Sequence, residues 1–261
     1  AHKQPERVKE IYYGDWFIQQ AINDGFPLNT VVSTGNFVEL MKAGKKTFDE
    51  SILVSIVPDA GSDLEKQLIQ FVKKGGKLFV YGPSSHASQK FLDFLNIKQV
   101  EPISGEMRVQ TQLRSDLIKT PGSSILRHNE DMSGGGIETL VNNTSDPSTK
   151  VLAQAFMGAQ KRDIAIQRQE KDWNGGMVVY LRGTNSATYR GGHLLTPDNP
   201  KQRFNGSSLL RYSLNNMGYS VYFDKLEADM RNPINCISRN DNAFYFSGFT
   251  PNQTIEQQWL F

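Results

Sequence analysis

Residues 51–94, SILVSIVPDAGSDLEKQLIQFVKKGGKLFVYGPSSHASQKFLDF, constrain the fold more than any other stretch. Ile52 to Val57 is short, apolar and rich in β-branched residues, the signature of a strand covered on both faces. Ser62 followed by Glu65 forms a capping box that opens a helix. Leu64, Leu68, Phe71 and Val72 then repeat at helical spacing and define its inward face. Gly75-Gly76 supplies a left-handed stop, and Leu78 to Tyr81 reads as a second buried strand. A strand–helix–strand unit this compact requires a parallel pair with a right-handed crossover.

The flanking sequence extends the alternation. Lys9 to Tyr13 reads as a short strand, Asp15 to Asn23 as a helix, and Thr30 to Thr34 as a β-branched strand. Gly35-Asn36 then turns into a helix carrying Phe37, Leu40 and Met41. The first 95 residues therefore predict an α/β fold built on an open, doubly wound, mostly parallel sheet. From Ile97 the rhythm changes. Glu106 to Leu113 alternates as a half-exposed strand does, and Ser115 to Thr149 is rich in Gly, Ser, Asn and Asp. We expect a β-rich insertion at about 103–150. Val151 to Phe156, Asp163 to Gln167 and Met177 to Leu181 follow as three strands, the middle pair forming an antiparallel hairpin, with Gly175-Gly176 as the turn before the last of them. A helix begins between Asn205 and Ser208 and stops at Gly218, and Tyr219 to Phe223 reads as a strand. Asn242 to Phe261 alternates around Thr250-Pro251-Asn252, as two strands of a β domain would. Domain organisation is thus expected as 1–225 for the α/β domain and 226–261 for the start of a C-terminal, β-sandwich-like segment. Both ends read as cuts from a longer polypeptide.

Composition narrows the function classes. Lys and Arg total 29 against 27 Asp and Glu, a net charge of +2, with no clustered basic stripe of the kind that nucleic-acid binding needs. No apolar run reaches the length of a membrane span. The single cysteine, Cys236, excludes an internal disulfide. The four histidines, His2, His86, His128 and His193, share no i, i+3 or i+4 pairing, so no metal site is expected. Asn129-Glu130-Asp131 lacks the alternating carboxylates of a calcium loop. Ser-Gly-Gly-Gly at 133–136 does not open a strong helix and is not expected to cradle phosphate. We expect no cofactor.

Ligands of open α/β sheets bind beyond the carboxyl ends of the strands. There the sequence places Thr34-Gly35-Asn36, Pro58-Asp59-Ala60-Gly61-Ser62 and Gly82-Pro83-Ser84-Ser85-His86. Candidate ligand-binding residues are therefore Asn36, Asp59, Ser84, Ser85 and His86. A hydrolase built from Ser84, His86 and Asp59 is one alternative, and a sugar-binding crevice without chemistry is another. Helix capping alone explains Ser62, Ser84 and Ser85 and is the expected role, the Ser84–His86 spacing suits a general base poorly, and no G-x-S-x-G elbow is present. No catalytic residue is assigned.

The run from the apolar strand through Pro58-Asp59-Ala60-Gly61, the helix ending Gly75-Gly76, and Lys77-Leu78-Phe79-Val80-Tyr81-Gly82 resembles class I glutamine amidotransferase-like, flavodoxin-like domains. It looks closest to their non-catalytic members, such as the trimerisation domain of bacterial β-galactosidases. Lys161 to Ala165, Gly175 to Leu181 and the Ser207–Gly218 helix agree with the resemblance, which covers about 30–225. It implies a structural or interaction role in a larger, carbohydrate-active bacterial protein, with flanking domains, carbohydrate and a homo-oligomer as partners, and an extracytoplasmic location. Active relatives place a cysteine nucleophile in the turn that here reads Gly82-Pro83-Ser84-Ser85. A glycine or proline cannot replace a thiolate, so the resemblance implies a domain without glutaminase activity.

Overall fold

The computed structural model describes residues 21–22, 26–28, 30–111, 123–128, 130, 134–182, 206–219, 234–240 and 243–249. The readings at Lys9–Tyr13, most of Asp15–Asn23, Tyr219–Phe223 beyond its first residue, and Thr250–Phe261 lie outside them. The organising unit forms as its sequence dictates. Strand β1 (Ile52–Ile56) leads into helix α2 (Asp63–Lys73) and strand β2 (Lys77–Tyr81), with β1 and β2 parallel and in register Ile52 to Lys77. Ser62 caps α2 by accepting from Glu65 N (3.2 Å), while Glu65 Oε2 accepts from Gly61 N (3.1 Å). At the other end Gly76 N donates to Phe71 O (2.9 Å) and Gly75 N to Val72 O (3.0 Å), with Gly75 at φ +108°. These two bonds satisfy the last helical carbonyls as a Schellman turn does.

Ahead of this unit stands α1 (Thr34–Lys42), and after it come α3 (Gln89–Leu95), β3 (Ile97–Ile103), β4 (Gly105–Thr111), β5 (Ser123–His128) and β6 (Ile137–Val141). Strands β7 (Thr149–Met157), β8 (Gln160–Arg168) and β9 (Met177–Leu181) follow, then α4 (Gly206–Asn216) and the antiparallel pair β10 (Ile234–Asn240) and β11 (Ala243–Phe249). The main sheet has seven strands in the order β1-β2-β9-β8-β7-β4-β5. Only β1, β2 and β9 run parallel; β9-β8, β8-β7, β7-β4 and β4-β5 are antiparallel. The sheet is therefore mixed, and the expectation of a mostly parallel, doubly wound sheet is corrected. The reason is the brevity of the connections. A tight turn with Gly158 at φ +57° joins β7 to β8, and a link that short permits only a hairpin.

Two apolar layers flank the sheet. On one face Phe79, Tyr81, Val179 and Leu181 pack with Leu209, Leu210, Leu214 and Met217 of α4. On the other, Leu78, Val80, Val178 and Tyr180 pack with Phe37 and Val38 of α1, Leu68, Phe71 and Val72 of α2, and Phe91 and Leu95 of α3. Strands β3 and β6 form a separate antiparallel ribbon, tied to the main sheet at β8: Val141 N donates to Asp163 Oδ2 (2.8 Å) and Thr139 Oγ1 to Asp163 O (2.7 Å). Among the described residues no helix is long and apolar enough to cross a membrane.

Two local readings change. Thr30 to Ser33 carries no ladder pairing, and Thr34 already belongs to α1, whose N-cap is Ser33. Four β-branched or small residues have strand propensity, but propensity yields a strand only where an edge accepts it. The partner of β11 precedes it in the chain, with Ala243 opposite Asn240.

Candidate functional site

The carboxyl ends of β1, β2 and β9 converge on the predicted crevice. After β2 the backbone turns through Gly82, at φ +105°, whose N–H donates to Leu181 O (3.0 Å). This seats Ser84 in the interior, with 0% of its surface exposed. Every polar group of Ser84 is engaged by the β3–β6 ribbon. Its N–H (3.1 Å) and its Oγ (3.0 Å) both donate to Glu138 Oε1, and its carbonyl accepts from Gln99 Nε2 (2.6 Å). The capping role expected of Ser84 and Ser85 is corrected accordingly: α3 is capped by Ser88, which accepts from Phe91 N (3.1 Å). Ser85 is exposed.

Glu138 also receives Arg182, which directly follows β9. Arg182 Nε donates to Glu138 Oε2 (3.2 Å), and Nη2 donates to Gly135 O (3.0 Å) and Gly136 O (2.8 Å). His128, at the end of β5, donates from Nε2 to the same Gly135 carbonyl (2.8 Å). Burial, with the Arg182 charge second, lowers the His128 imidazole to about 4, so it is neutral over the physiological range. Tyr180 donates its hydroxyl to Gly82 O (3.1 Å), and burial followed by the Glu138 charge pushes its phenol well above the usual range. Glu138, Arg182, His128 and Tyr180 were missed at the level of sequence. A usable signal existed: Glu138 interrupts the apolar run Ile137 to Val141, and Arg182 abuts five consecutive buried residues.

The other candidates lie outside this enclosed group. His86 donates from Nε2 to Val57 O (2.9 Å), and Asp59 Oδ1 stands 4.0 Å from the same nitrogen. Ala60 N donates to His86 O (3.1 Å), which fastens the β1 and β2 loops together. The Asp59 side chain is 54% exposed and that of His86 18%. Asn36 lies exposed in the first turn of α1, where its N–H donates to Ser33 Oγ (3.2 Å). The structure thus brings Asp59 and His86 together and directs the Ser84 hydroxyl to Glu138. A hydroxyl with no exposed surface, hydrogen-bonded to a carboxylate already paired with a guanidinium, is poorly placed to attack a substrate. Among the described residues no group of three or more His, Cys, Asp or Glu side chains is arranged to hold a metal ion.

No protein-family model matches the chain, and no curated protein matches it. Among solved structures it is similar to a thua-like protein from Parabacteroides merdae, at 11% identity and a TM-score of 0.46 over 84% of this chain and 89% of that one. A thua-like protein from Bacteroides uniformis matches at 12% identity and a TM-score of 0.44, over 78% of this chain and 85% of that one. The exo-β-1,4-mannosidase of Opitutaceae bacterium strain TAV5 matches 51% of this chain at 12% identity and a TM-score of 0.35; the chain spans 20% of that enzyme's length.

Proposed function

We propose that the chain is a non-catalytic, amidotransferase-like structural and interaction domain of a larger carbohydrate-active protein. In this reading 1–225 form the α/β domain and 226–261 begin a β-sandwich-like segment. Ser84 carries the proposal. It occupies the turn where the resembled family holds its nucleophile, yet it is enclosed, and both its N–H and its hydroxyl donate to Glu138. The turn serves as an anchor that holds the β3–β6 ribbon over the end of β2. The test is ammonia release from glutamine by the wild-type chain and by Ser84→Ala. We expect no turnover from either; turnover that disappears in Ser84→Ala overturns the proposal.

A second reading, a sugar-binding crevice without chemistry, draws on the half-exposed Asp59 carboxylate beside His86 and the exposed Ser85. A thermal-shift screen against oligosaccharides separates it from a scaffold. A ligand at about a hundred times its dissociation constant stabilises by roughly 2.7 kcal/mol. A shift abolished by Asp59→Asn or His86→Ala supports the crevice, and no shift with any sugar supports the scaffold.

A further inference from the structure

A tight turn, Trp173-Asn174-Gly175-Gly176, leads into β9. Gly176 N donates to Trp173 O (2.7 Å), and the two residues between them have positive φ, Asn174 at +51° and Gly175 at +85°. Asn-Gly suits such a turn because both residues tolerate the left-handed region. The same pair is chemically vulnerable. Asparagine is among the thermolabile residues, and a glycine after it has no Cβ to keep its backbone nitrogen from the asparagine side chain.

The fold leaves this pair open to that chemistry. Asn174 and Gly175 are both exposed. A Cβ placed on Gly175 meets nothing within 4 Å, so the peptide between the two residues has room to swing. Among the described residues the Gly175 N–H donates to no acceptor, while the N–H groups of Trp173 and Gly176 are both bonded. The Asn174 carboxamide is held by a long bond from Nδ2 to Lys73 O (3.3 Å).

We propose that Asn174 is a site of spontaneous deamidation whose conversion loosens the junction between α2 and β9. The Gly175 nitrogen loses its proton and bonds to Asn174 Cγ; the Cγ–Nδ2 bond breaks, and Nδ2 leaves with a proton as ammonia. Solvent water then opens the cyclic imide. Cleavage at Cγ gives Asp, and cleavage at the backbone carbonyl gives isoaspartate; no electrons are exchanged. Asp sets a carboxylate against Lys73 O at the carboxyl end of α2, where the helix dipole opposes negative charge. Isoaspartate adds one backbone atom just before Gly176, where a Cβ would stand 1.8 Å from Val72 O and no slack remains. Strand β9 sits between β2 and β8, so either product weakens the sheet at an inner strand, and the turn marks aged copies of the domain by lowered stability.

The test is a time course on the whole native chain at mildly alkaline pH, with a sample kept unfolded in urea as reference. Peptide mapping by mass spectrometry reads the conversion of amide to acid at residue 174, and enzymatic isoaspartyl methylation reads the rearranged product. We expect both signals to grow in the native sample and to grow faster as pH rises, because the deprotonated nitrogen is the attacking group. Asn174→Asp should lower the thermal midpoint from the outset. A native sample that stays unconverted at residue 174 while the urea sample converts overturns the proposal. Conversion with an unchanged thermal midpoint overturns it as well, since the junction is then indifferent to the new groups. The wild-type time course decides the matter even if the variant does not fold.

Discussion

Arg182 Nε stands 3.2 Å from Glu138 Oε2 with the two side chains 0% and 9% exposed, and the carboxylate's other oxygen takes both donors of Ser84. One carboxylate thus joins β6, β9 and the turn after β2. Glu138→Ala removes the counter-charge from an enclosed guanidinium and should destabilise by about 3–5 kcal/mol. Glu138→Gln keeps hydrogen-bonding capacity and should cost less. Urea denaturation of both variants checks the order, and equal losses would assign the whole effect to the missing negative charge.

The neutral, enclosed His128 makes stability depend on pH. Its folded value of about 4 lies below the ordinary 6.5, so between these values the unfolded chain binds the extra proton. Stability then rises with pH: its contribution is complete above about pH 6.5 and fades as pH falls toward 4. The shift corresponds to a span of about 3 kcal/mol. His128→Gln should flatten the stability profile across that window. Midpoints of chemical denaturation between pH 4 and 7 provide the comparison, and an unchanged slope in the variant would assign the dependence to other groups.

Gly176 brings β9 against the end of α2. A Cβ there would stand 1.8 Å from the Val72 carbonyl oxygen and 2.9 Å from that of Trp173, both backbone atoms with little room to retreat. Gly176→Ala should cost about 3 kcal/mol. Gly175→Ala meets nothing within 4 Å and bears only the strain of φ +85°, about 1–2 kcal/mol. Thermal unfolding of the pair separates contact from conformation.

Asn96 ends α3 at φ +55° and ties it to the β6–β7 loop. Its Nδ2, with two N–H donors, stands within hydrogen-bond distance of Asn143 O (3.0 Å), Thr149 Oγ1 (2.9 Å) and Asp146 Oδ2 (3.3 Å), and its Oδ1 accepts from Asn143 N (3.0 Å). Asn96→Ala and Asn96→Gly lose the same bonds, but only alanine adds left-handed strain. Alanine should therefore be the worse by about 1 kcal/mol, read from denaturation midpoints. Equal stabilities would show that the backbone conformation contributes nothing.

The legible parts of this protein are those decided locally. The capping box at Ser62 and Glu65, the Gly75-Gly76 stop and the periodicity of α2 need no distant partner, and they stand where the sequence places them. The strands at Val151 to Phe156, Asp163 to Gln167 and Met177 to Leu181 were legible for the same reason. Ser84 was not. A serine just before a helix reads as a cap, and what overrides that reading is Glu138, brought over it by the β3–β6 ribbon. The direction of β4 and β5 was equally hidden, because an alternating or apolar run specifies a strand but not its neighbour. Thr30–Ser33 shows the converse, a strand signal in a segment with no ladder.

The strand order also has a temporal side. Strand β9 sits between β2 and β8 in the sheet, yet it is synthesised after β3 to β8. Until then the inner edge of β2, with Phe79 and Val80 beside it, faces the nascent chain with its ladder unfilled. Non-local pairing of this kind slows folding and leaves a growing chain prone to wrong partners. The apolar run Leu78 to Tyr81 thus lacks one of its two ladder neighbours until β9 is made, although in the finished protein it is buried.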